Sequence, residues 1–296
     1  MKVGIDLGGS HISLVVIDKN EIIIEKIDKR LMTKEKHNIE ETIENYILEN
    51  IKELSKKYDI SQIGISIPGT ITKQIIVKSV NLGVEKYDLV KNLRKEIQIP
   101  IKIRNDAKSA ALAESRIGTL KQYKKTMFLG LGTGIGGAII IDGKLLDTGD
   151  LPGCEFGHMI IQKDGLECNC GKKGCFEKYA SMKALKTNLR KSLNLTETTT
   201  GKELLDIIIK NPDDERINNI IDEFIDYLSI GISNLINIFE PEAIAIGGSF
   251  VYYSNILLDK LKNNILDNNL LFNKRDKLLI FPAELGNDAG IIGSCM

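Results

Sequence analysis

Val3-Gly4-Ile5-Asp6-Leu7-Gly8-Gly9-Ser10-His11-Ile12-Ser13-Leu14-Val15-Val16-Ile17-Asp18 reads as two short apolar strands joined by a glycine turn. The stretch can be laid on Met127 to Asp142 without a gap. Leu7, Gly8, Ile17 and Asp18 then meet the identical Leu131, Gly132, Ile141 and Asp142. A strand–turn–strand unit that recurs about 120 residues later indicates two similarly built halves facing each other.

Working outward, Ile39, Ile43, Ile47, Ile51 and Leu54 recur at helical spacing through a charged segment and predict an amphipathic surface helix. Ser61 to Thr70 reads as a strand ending in the Pro68-Gly69 turn, and Ile99 to Arg104 as another strand. That strand runs into Asn105-Asp106, placed as an N-cap ahead of a helix over Ala107 to Arg116. A Gly- and Cys-rich loop from Asp147 to Cys175 precedes three helical stretches, the longest from about Asp214 to Glu240, where Pro241 stops it. Ala243 to Ile246 then forms a buried strand entering Gly247-Gly248, and a short apolar helix follows Gly286 to Gly290. Alternating strands and helices predict an α/β architecture.

Composition narrows the function classes. The 296 residues carry 40 Lys plus Arg and 40 Asp plus Glu, a formal net charge of zero. A chain without a broad positive field is not recruited electrostatically by nucleic acid or a membrane surface. The longest uncharged stretches, 126–141 and 243–258, are broken by glycines and fall short of the roughly 18 apolar residues of a spanning helix. An acidic residue and glycines stand where an export signal needs an apolar core. These features predict a cytoplasmic protein, in which five cysteines serve as metal ligands or inert thiols rather than disulfides. His37 has no sequence partner and is expected at the surface.

Glycine turns let backbone approach a ligand, and their free N–H groups form nests for anions. Gly8-Gly9-Ser10 and Gly132-Thr133-Gly134 therefore read as two jaws for a polyphosphate, with Asp6 placed to hold Mg²⁺ directly or through water. Gly132, Gly134 and Gly137 formally match the dinucleotide fingerprint, but Ala138 to Ile141 is a strand where that motif requires a helix. No P-loop pattern occurs. Taken singly, each turn reads as a plain tight hairpin with no ligand. The pair together with Gly247-Gly248 favours a nucleotide.

His158, Cys168, Cys170 and Cys175 form H-x9-C-x-C-x4-C, a donor set suited to tetrahedral structural Zn²⁺. The closely spaced Cys168 and Cys170 thiols cannot easily bridge each other. Cys154 and Cys295 read as ordinary small apolar residues. An ion fixing His158 and Cys175 would also fix Glu155 and Glu177, acids able to accept hydrogen bonds from a polyhydroxyl ligand. Asp106 has two readings: a helix cap, or a general base for a hydroxyl attacking a γ-phosphoryl group. Asn105 beside it could orient that hydroxyl.

Asp6-Leu7-Gly8-Gly9-Ser10, Asn105-Asp106, Gly130 to Gly137, Glu155-Phe156-Gly157-His158, Cys168 to Glu177 and Ile246-Gly247-Gly248 occur in that order. With them the chain resembles the ROK family (repressor, open reading frame, kinase) over essentially its whole length, and within it the bacterial glucokinases. The resemblance implies an α/β, two-lobed actin-like ATPase (ribonuclease H-like) fold with a zinc-binding loop. It divides the chain into a small lobe, residues 1–117 joined by the closing helix 286–296, and a large lobe, 118–285, with ATP and a hexose bound in the cleft. It further implies ATP-dependent phosphorylation of a hexose at the 6-hydroxyl, glucose foremost, with N-acetylmannosamine, allose or fructose as alternatives.

Carried over by position, Asp106 matches the catalytic base. Gly69, Asn105, Asp106, Glu155, His158 and Glu177 match sugar contacts, His158 also binding zinc. Asp6, Gly8, Gly9, Ser10, His11, Gly132, Thr133 and Gly134 match the ATP and Mg²⁺ side, and Gly247-Gly248 the adenosine side. Ser10 stands where Thr is usual, His11 where a longer polar residue is frequent, Ser249 for a common third glycine, and Cys154 for a small residue. The family also holds sugar-responsive repressors, which carry a DNA-binding helix-turn-helix ahead of this region. With the first glycine turn at Gly8 there is no room for one, so no nucleic-acid partner is expected. The resemblance favours a homodimer or homotetramer.

Overall fold

The computed structural model describes residues 1–31, 38–146, 153–268, 270–273 and 276–296. His37 and the first part of the Gly- and Cys-rich loop, 147–152, lie outside the described residues. The chain forms two compact units: Met1–Lys121 with Ile140–Gly153 and Asn287–Met296, and Gln122–Ile139 with Cys154–Gly286.

In chain order the first elements are β1 (Lys2–Leu7), β2 (His11–Ile17), β3 (Ile23–Arg30), α1 (Ile39–Lys57), β4 (Gln62–Ile67), β5 (Thr70–Thr72), β6 (Ile75–Ser79), β7 (Val84–Tyr87), α2 (Leu89–Leu93), β8 (Ile101–Asn105) and α3 (Asp106–Arg116). They continue with β9 (Lys125–Leu131), β10 (Ile135–Ile141), β11 (Lys144–Leu145), a 3-10 turn at Phe156–His158, α4 (Glu177–Ala180), α5 (Met182–Ser192), α6 (Gly201–Lys210) and α7 (Glu215–Phe239). The last are β12 (Ala243–Gly248), a 3-10 turn at Ser249–Tyr253, α8 (Ser254–Asp267), β13 (Ile280–Pro282) and α9 (Asp288–Ser294).

Among the described residues one sheet runs β3-β2-β1-β4-β8 and another β11-β10-β9-β12-β13. In the first, β1 pairs antiparallel with β2 and parallel with β4, which pairs parallel with β8. In the second, β12 lies parallel to both β9 and β13. The repeated sixteen-residue stretch therefore forms the equivalent adjacent strands of both sheets. Parallel neighbours need long crossovers, and α1 lies on the one from the first hairpin to β4. β4 buries Ile63, Ile65 and Ile67 on one face and Gly64 and Ser66 on the other, as a strand covered on both faces requires. Ile39, Ile43, Ile47, Ile51 and Leu54 form the buried stripe of α1.

Some boundaries differ from the sequence reading. The expected strand to Thr70 ends at Ile67, because the Pro68-Gly69 turn hands the chain to β5 of a separate β5-β6-β7 sheet. The loop is followed by four helical pieces rather than three, α4 being a single turn split from α5 at Ser181, which caps α5 through the Ala184 N–H. Residue 240 ends α7 with left-handed backbone, φ 46°, just ahead of Pro241. No helix among the described residues is long and apolar enough to cross a membrane.

Within the first unit, α9 packs closely on α3: a Cβ at Gly293 would lie 1.8 Å from the Ser109 carbonyl oxygen. The Arg104 guanidinium donates to the Gly293 and Ser294 carbonyls at 3.3 Å, using the open C-terminal carbonyls of α9. Within the second unit, α7 is notched at Gly231 to receive the Phe176 ring, and Phe156 packs on Phe239 with ring centroids 6.0 Å apart. Both aromatic residues flank members of the Cys/His set, so the core of α7 anchors that loop.

Candidate functional site

In the first unit, Asn105 and not Asp106 caps α3. Asn105 Oδ1 accepts the Ala107 and Lys108 N–H groups at 3.0 and 3.2 Å, while its Nδ2 donates to the Gly69 carbonyl at 3.0 Å. The side chain expected to orient a ligand hydroxyl is thus chiefly occupied by the fold, with one amide N–H left over. Asp106, expected with Asn105 as the cap, is instead the first helical residue and is relieved of that duty. Its Oδ1 accepts its neighbour Ala107 N–H at 2.8 Å. Burial pushes the Asp106 carboxyl up to about 6, outweighing that hydrogen bond, and the negative charge of Asp6 adds to the rise.

Asp6 is half-buried in β1, between the fully buried Ile5 and Leu7. Its Oδ2 faces His11 Nε2 at 3.3 Å, and this hydrogen bond raises the His11 pKa above the usual imidazole value. The His11 ring covers Gly8, where a Cβ would come within 2.4 Å of it, and a Cβ at Gly9 would lie 2.6 Å from the Asn81 carbonyl oxygen. Ser10 and His11 are exposed.

In the second unit, the ligand atoms of His158, Cys168, Cys170 and Cys175 all lie within 4.8 Å of one another. Cys170 and Cys175 Sγ are 3.6 Å apart, and His158 Nδ1 is 3.7 Å from Cys168 Sγ. Zinc–sulfur and zinc–nitrogen bonds of ordinary length give tetrahedron edges of about 3.6–3.8 Å, so the donor set fits such an ion. The loop is shaped for this by local chemistry. Gly174 takes φ 78°, and a Cβ there would strike the Gln162 carbonyl oxygen at 1.7 Å. The Cys168 N–H bonds the Lys172 carbonyl, and the Phe176 N–H bonds the Met159 carbonyl, both at 2.8 Å. Cys154 and Cys295 stand outside the set. Cys295 is buried, which pushes its thiol up to about 11, whereas Cys154 is half-buried in left-handed backbone, φ 58°. That conformation gives a physical reason for a small residue at position 154.

Glu177 joins this set to the second glycine turn. Its Oε1 lies 3.4 Å from Cys168 Sγ and 3.8 Å from His158 Nδ1, and its Oε2 accepts the Ile135 N–H at 3.4 Å. A Cβ at Gly134 would meet that Oε2 at 2.5 Å. Thr133 at the tip is exposed, as is Glu155, whose backbone carbonyl accepts the His158 N–H at 3.0 Å. The Gly132 carbonyl accepts the Lys183 N–H at 3.0 Å. Gly247-Gly248 pairs in register with Gly130-Leu131, and Gly248 takes φ 70° with a Cβ position only 2.4 Å from the Leu131 carbonyl oxygen.

A residue absent from the sequence reading also reaches this turn. Lys186, one helical turn beyond Lys183 on α5, donates to Ser249 Oγ at 3.0 Å. One lysine among many on an amphipathic helix carries no sequence signal. The substitution of Ser249 for a third glycine was the one mark pointing to it.

The ROK family model matches residues 2–296. The glucokinase of Thermotoga maritima is 29% identical, with 99% of this chain and 95% of that one covered. The xylose repressor of Bacillus subtilis is also 29% identical, covering 98% of this chain and 75% of that protein. Among solved structures, the ROK glucokinase of Streptomyces griseus in complex with glucose and AMPPNP superposes with a TM-score of 0.79 at 25% identity, covering 99% and 97%. With the paired five-stranded sheets, this likeness shows the actin-like ATPase fold. The chain belongs to the ROK family.

Proposed function

We propose that this protein is an ATP-dependent hexokinase acting on the 6-hydroxyl of a hexose, with glucose the first candidate. The observation that carries the proposal is Asp106: a carboxylate at the head of α3, not used as the cap, with its pKa lifted by burial to about 6. A general base works best with a pKa near the operating pH. In the proposed step the hexose O6 bonds to the γ-phosphorus of ATP, the bond to the β,γ-bridging oxygen breaks and ADP departs. Asp106 accepts the hydroxyl proton. The Gly8 and Gly132 N–H groups are taken within their own turns by the His11 and Gly134 carbonyls, so Gly9, Ser10, Thr133 and Gly134 would supply backbone N–H groups to the phosphates, and positioning with electrostatics carries most of the rate.

Asp6 fits a Mg²⁺ role: Oδ1 accepts no described hydrogen bond, and Mg²⁺ takes few carboxylates and several waters. Such an ion would neutralise charge on the phosphates. Zinc held by His158, Cys168, Cys170 and Cys175 would be structural, a closed four-ligand site. Nδ1 of His158 faces the cysteines, which leaves Nε2 for a sugar hydroxyl; Glu155 and Glu177 are the companion contacts. The relatives give the proposal its substrate class, since proteins of matching length are named glucokinases. A homodimer or homotetramer is proposed on the family resemblance.

A second reading has its own support. Xylose repressors match at the same identity as a glucokinase, so a sugar-sensing protein without catalysis is the competing proposal. A coupled ADP-release assay over glucose, N-acetylmannosamine, allose and fructose separates the two. Turnover with one sugar supports the kinase; sugar binding without ADP release supports the sensor.

A further inference from the structure

α5 touches both glycine turns of the second unit. Its Lys183 N–H bonds the Gly132 carbonyl, and Lys186 places its ammonium 3.0 Å from Ser249 Oγ, beside Gly247-Gly248. The ammonium also lies over the Tyr253 ring, 5.5 Å from its centroid, and Tyr253 is fixed by donating its hydroxyl to the Gly201 carbonyl at 2.5 Å. Lys186 is half-buried, yet forms no ion pair with a carboxylate among the described residues. The charge that acts on it is a cation, Arg190, whose own Nε and Nη2 are taken by the Thr199 carbonyl. Burial and Arg190 together lower its pKa. A desolvated ammonium without a counter-charge is costly to a fold. It gains most from an anion, and lysine is a point-charge binder of phosphate. Of its three donors, Ser249 takes one.

We propose that Lys186, held by Ser249 and Tyr253 on the helix that also bonds the Gly132 carbonyl, is a specificity-determining contact for the phosphate groups of a nucleotide whose adenosine side is the Gly247-Gly248 turn. This rests on the reading that the turn faces the nucleotide. Ser249 is then not a neutral departure from the family's third glycine: its hydroxyl holds the lysine in place.

The test uses the full chain as wild type, Lys186→Met and Ser249→Gly. Dissociation constants for ADP, AMP and adenosine are measured by calorimetry, with KM values for ATP and sugar and a thermal melt. Loss of a charge-assisted contact should weaken ADP binding and raise the ATP KM about tenfold in Lys186→Met. Adenosine binding, sugar KM and melting temperature stay unchanged, and Ser249→Gly shifts the same constants less. Equal weakening of adenosine, or no change in ADP and ATP, overturns the assignment. If wild type binds ADP and Lys186→Met binds it equally well, only the lysine assignment falls. If wild type neither binds ADP nor uses ATP, the nucleotide reading of the turn falls and this contact with it.

Discussion

Glu177 Oε1 lies 3.8 Å from His158 Nδ1, the ring nitrogen that faces Cys168, while its Oε2 accepts the Ile135 N–H. One carboxylate thus links the metal-binding set to the Gly132-Thr133-Gly134 turn. Replacement by Ala leaves the four ligands in place but frees the turn, so metal content should stay constant while the KM values for sugar and ATP both rise. Glu177→Gln keeps an oxygen for Ile135 and should restore the ATP value while the sugar value remains raised. Metal analysis with steady-state kinetics on both variants checks this.

The Cys/His set should hold one zinc per chain. Structural zinc contributes roughly 10–16 kcal/mol in small peptides, and a loop already anchored by Phe156 and Phe176 will show only part of it. Stripping the metal with a chelator, or Cys175→Ser, should lower the melting temperature by about 10 °C. Differential scanning fluorimetry beside elemental analysis measures both. A metal-free chain with an unchanged melt contradicts the structural role.

Gly231→Ala separates packing from propensity. In a helix interior, alanine normally stabilises relative to glycine by about 1 kcal/mol. Here the new Cβ would fall 2.2 Å from the Phe176 ring, which the Cys175 loop cannot easily withdraw. The sign should reverse, with a destabilisation of about 1–3 kcal/mol. Urea unfolding of the zinc-loaded protein gives the sign directly.

Asp106 links stability to pH. Its carboxyl sits at about 6 in the fold against about 3.9 in an unfolded chain. Between these values the native state binds the extra proton, so the stabilising contribution is complete below about 4 and is lost as pH rises through 6. At pH 7 the buried charge is a net cost, and Asp106→Asn should raise stability by about 1–3 kcal/mol. Unfolding curves at about pH 4.5 and about pH 7 should show the gain growing with pH.

Legibility of the chain followed the range of the forces involved. The β1–β2 and β9–β10 hairpins, the stripe of α1 and the stop at Pro241 are local patterns, and the structure contains each of them. The Cys/His set was legible because its ligands fall in one short loop. What escaped depends on distant neighbours. The division of capping between Asn105 and Asp106 turns on how β8 meets α3, and the Asn105 bond to Gly69 spans 36 residues. Lys186 reaches Ser249 across 63 residues. The β5-β6-β7 sheet is built from three- to five-residue strands, too short to show a period, and β6 masks alternation by exposing the apolar Ile75 and Val77.

The most direct measurement is the initial rate of ADP release with glucose and Mg-ATP for wild type and Asp106→Asn, followed from pH 5 to 8, roughly the range bracketing the carboxyl. The account predicts wild-type turnover that rises through about pH 6 to a plateau, and a folded Asp106→Asn protein that still binds glucose but has lost turnover by about a hundredfold or more. A folded Asp106→Asn enzyme that turns over like wild type would contradict it.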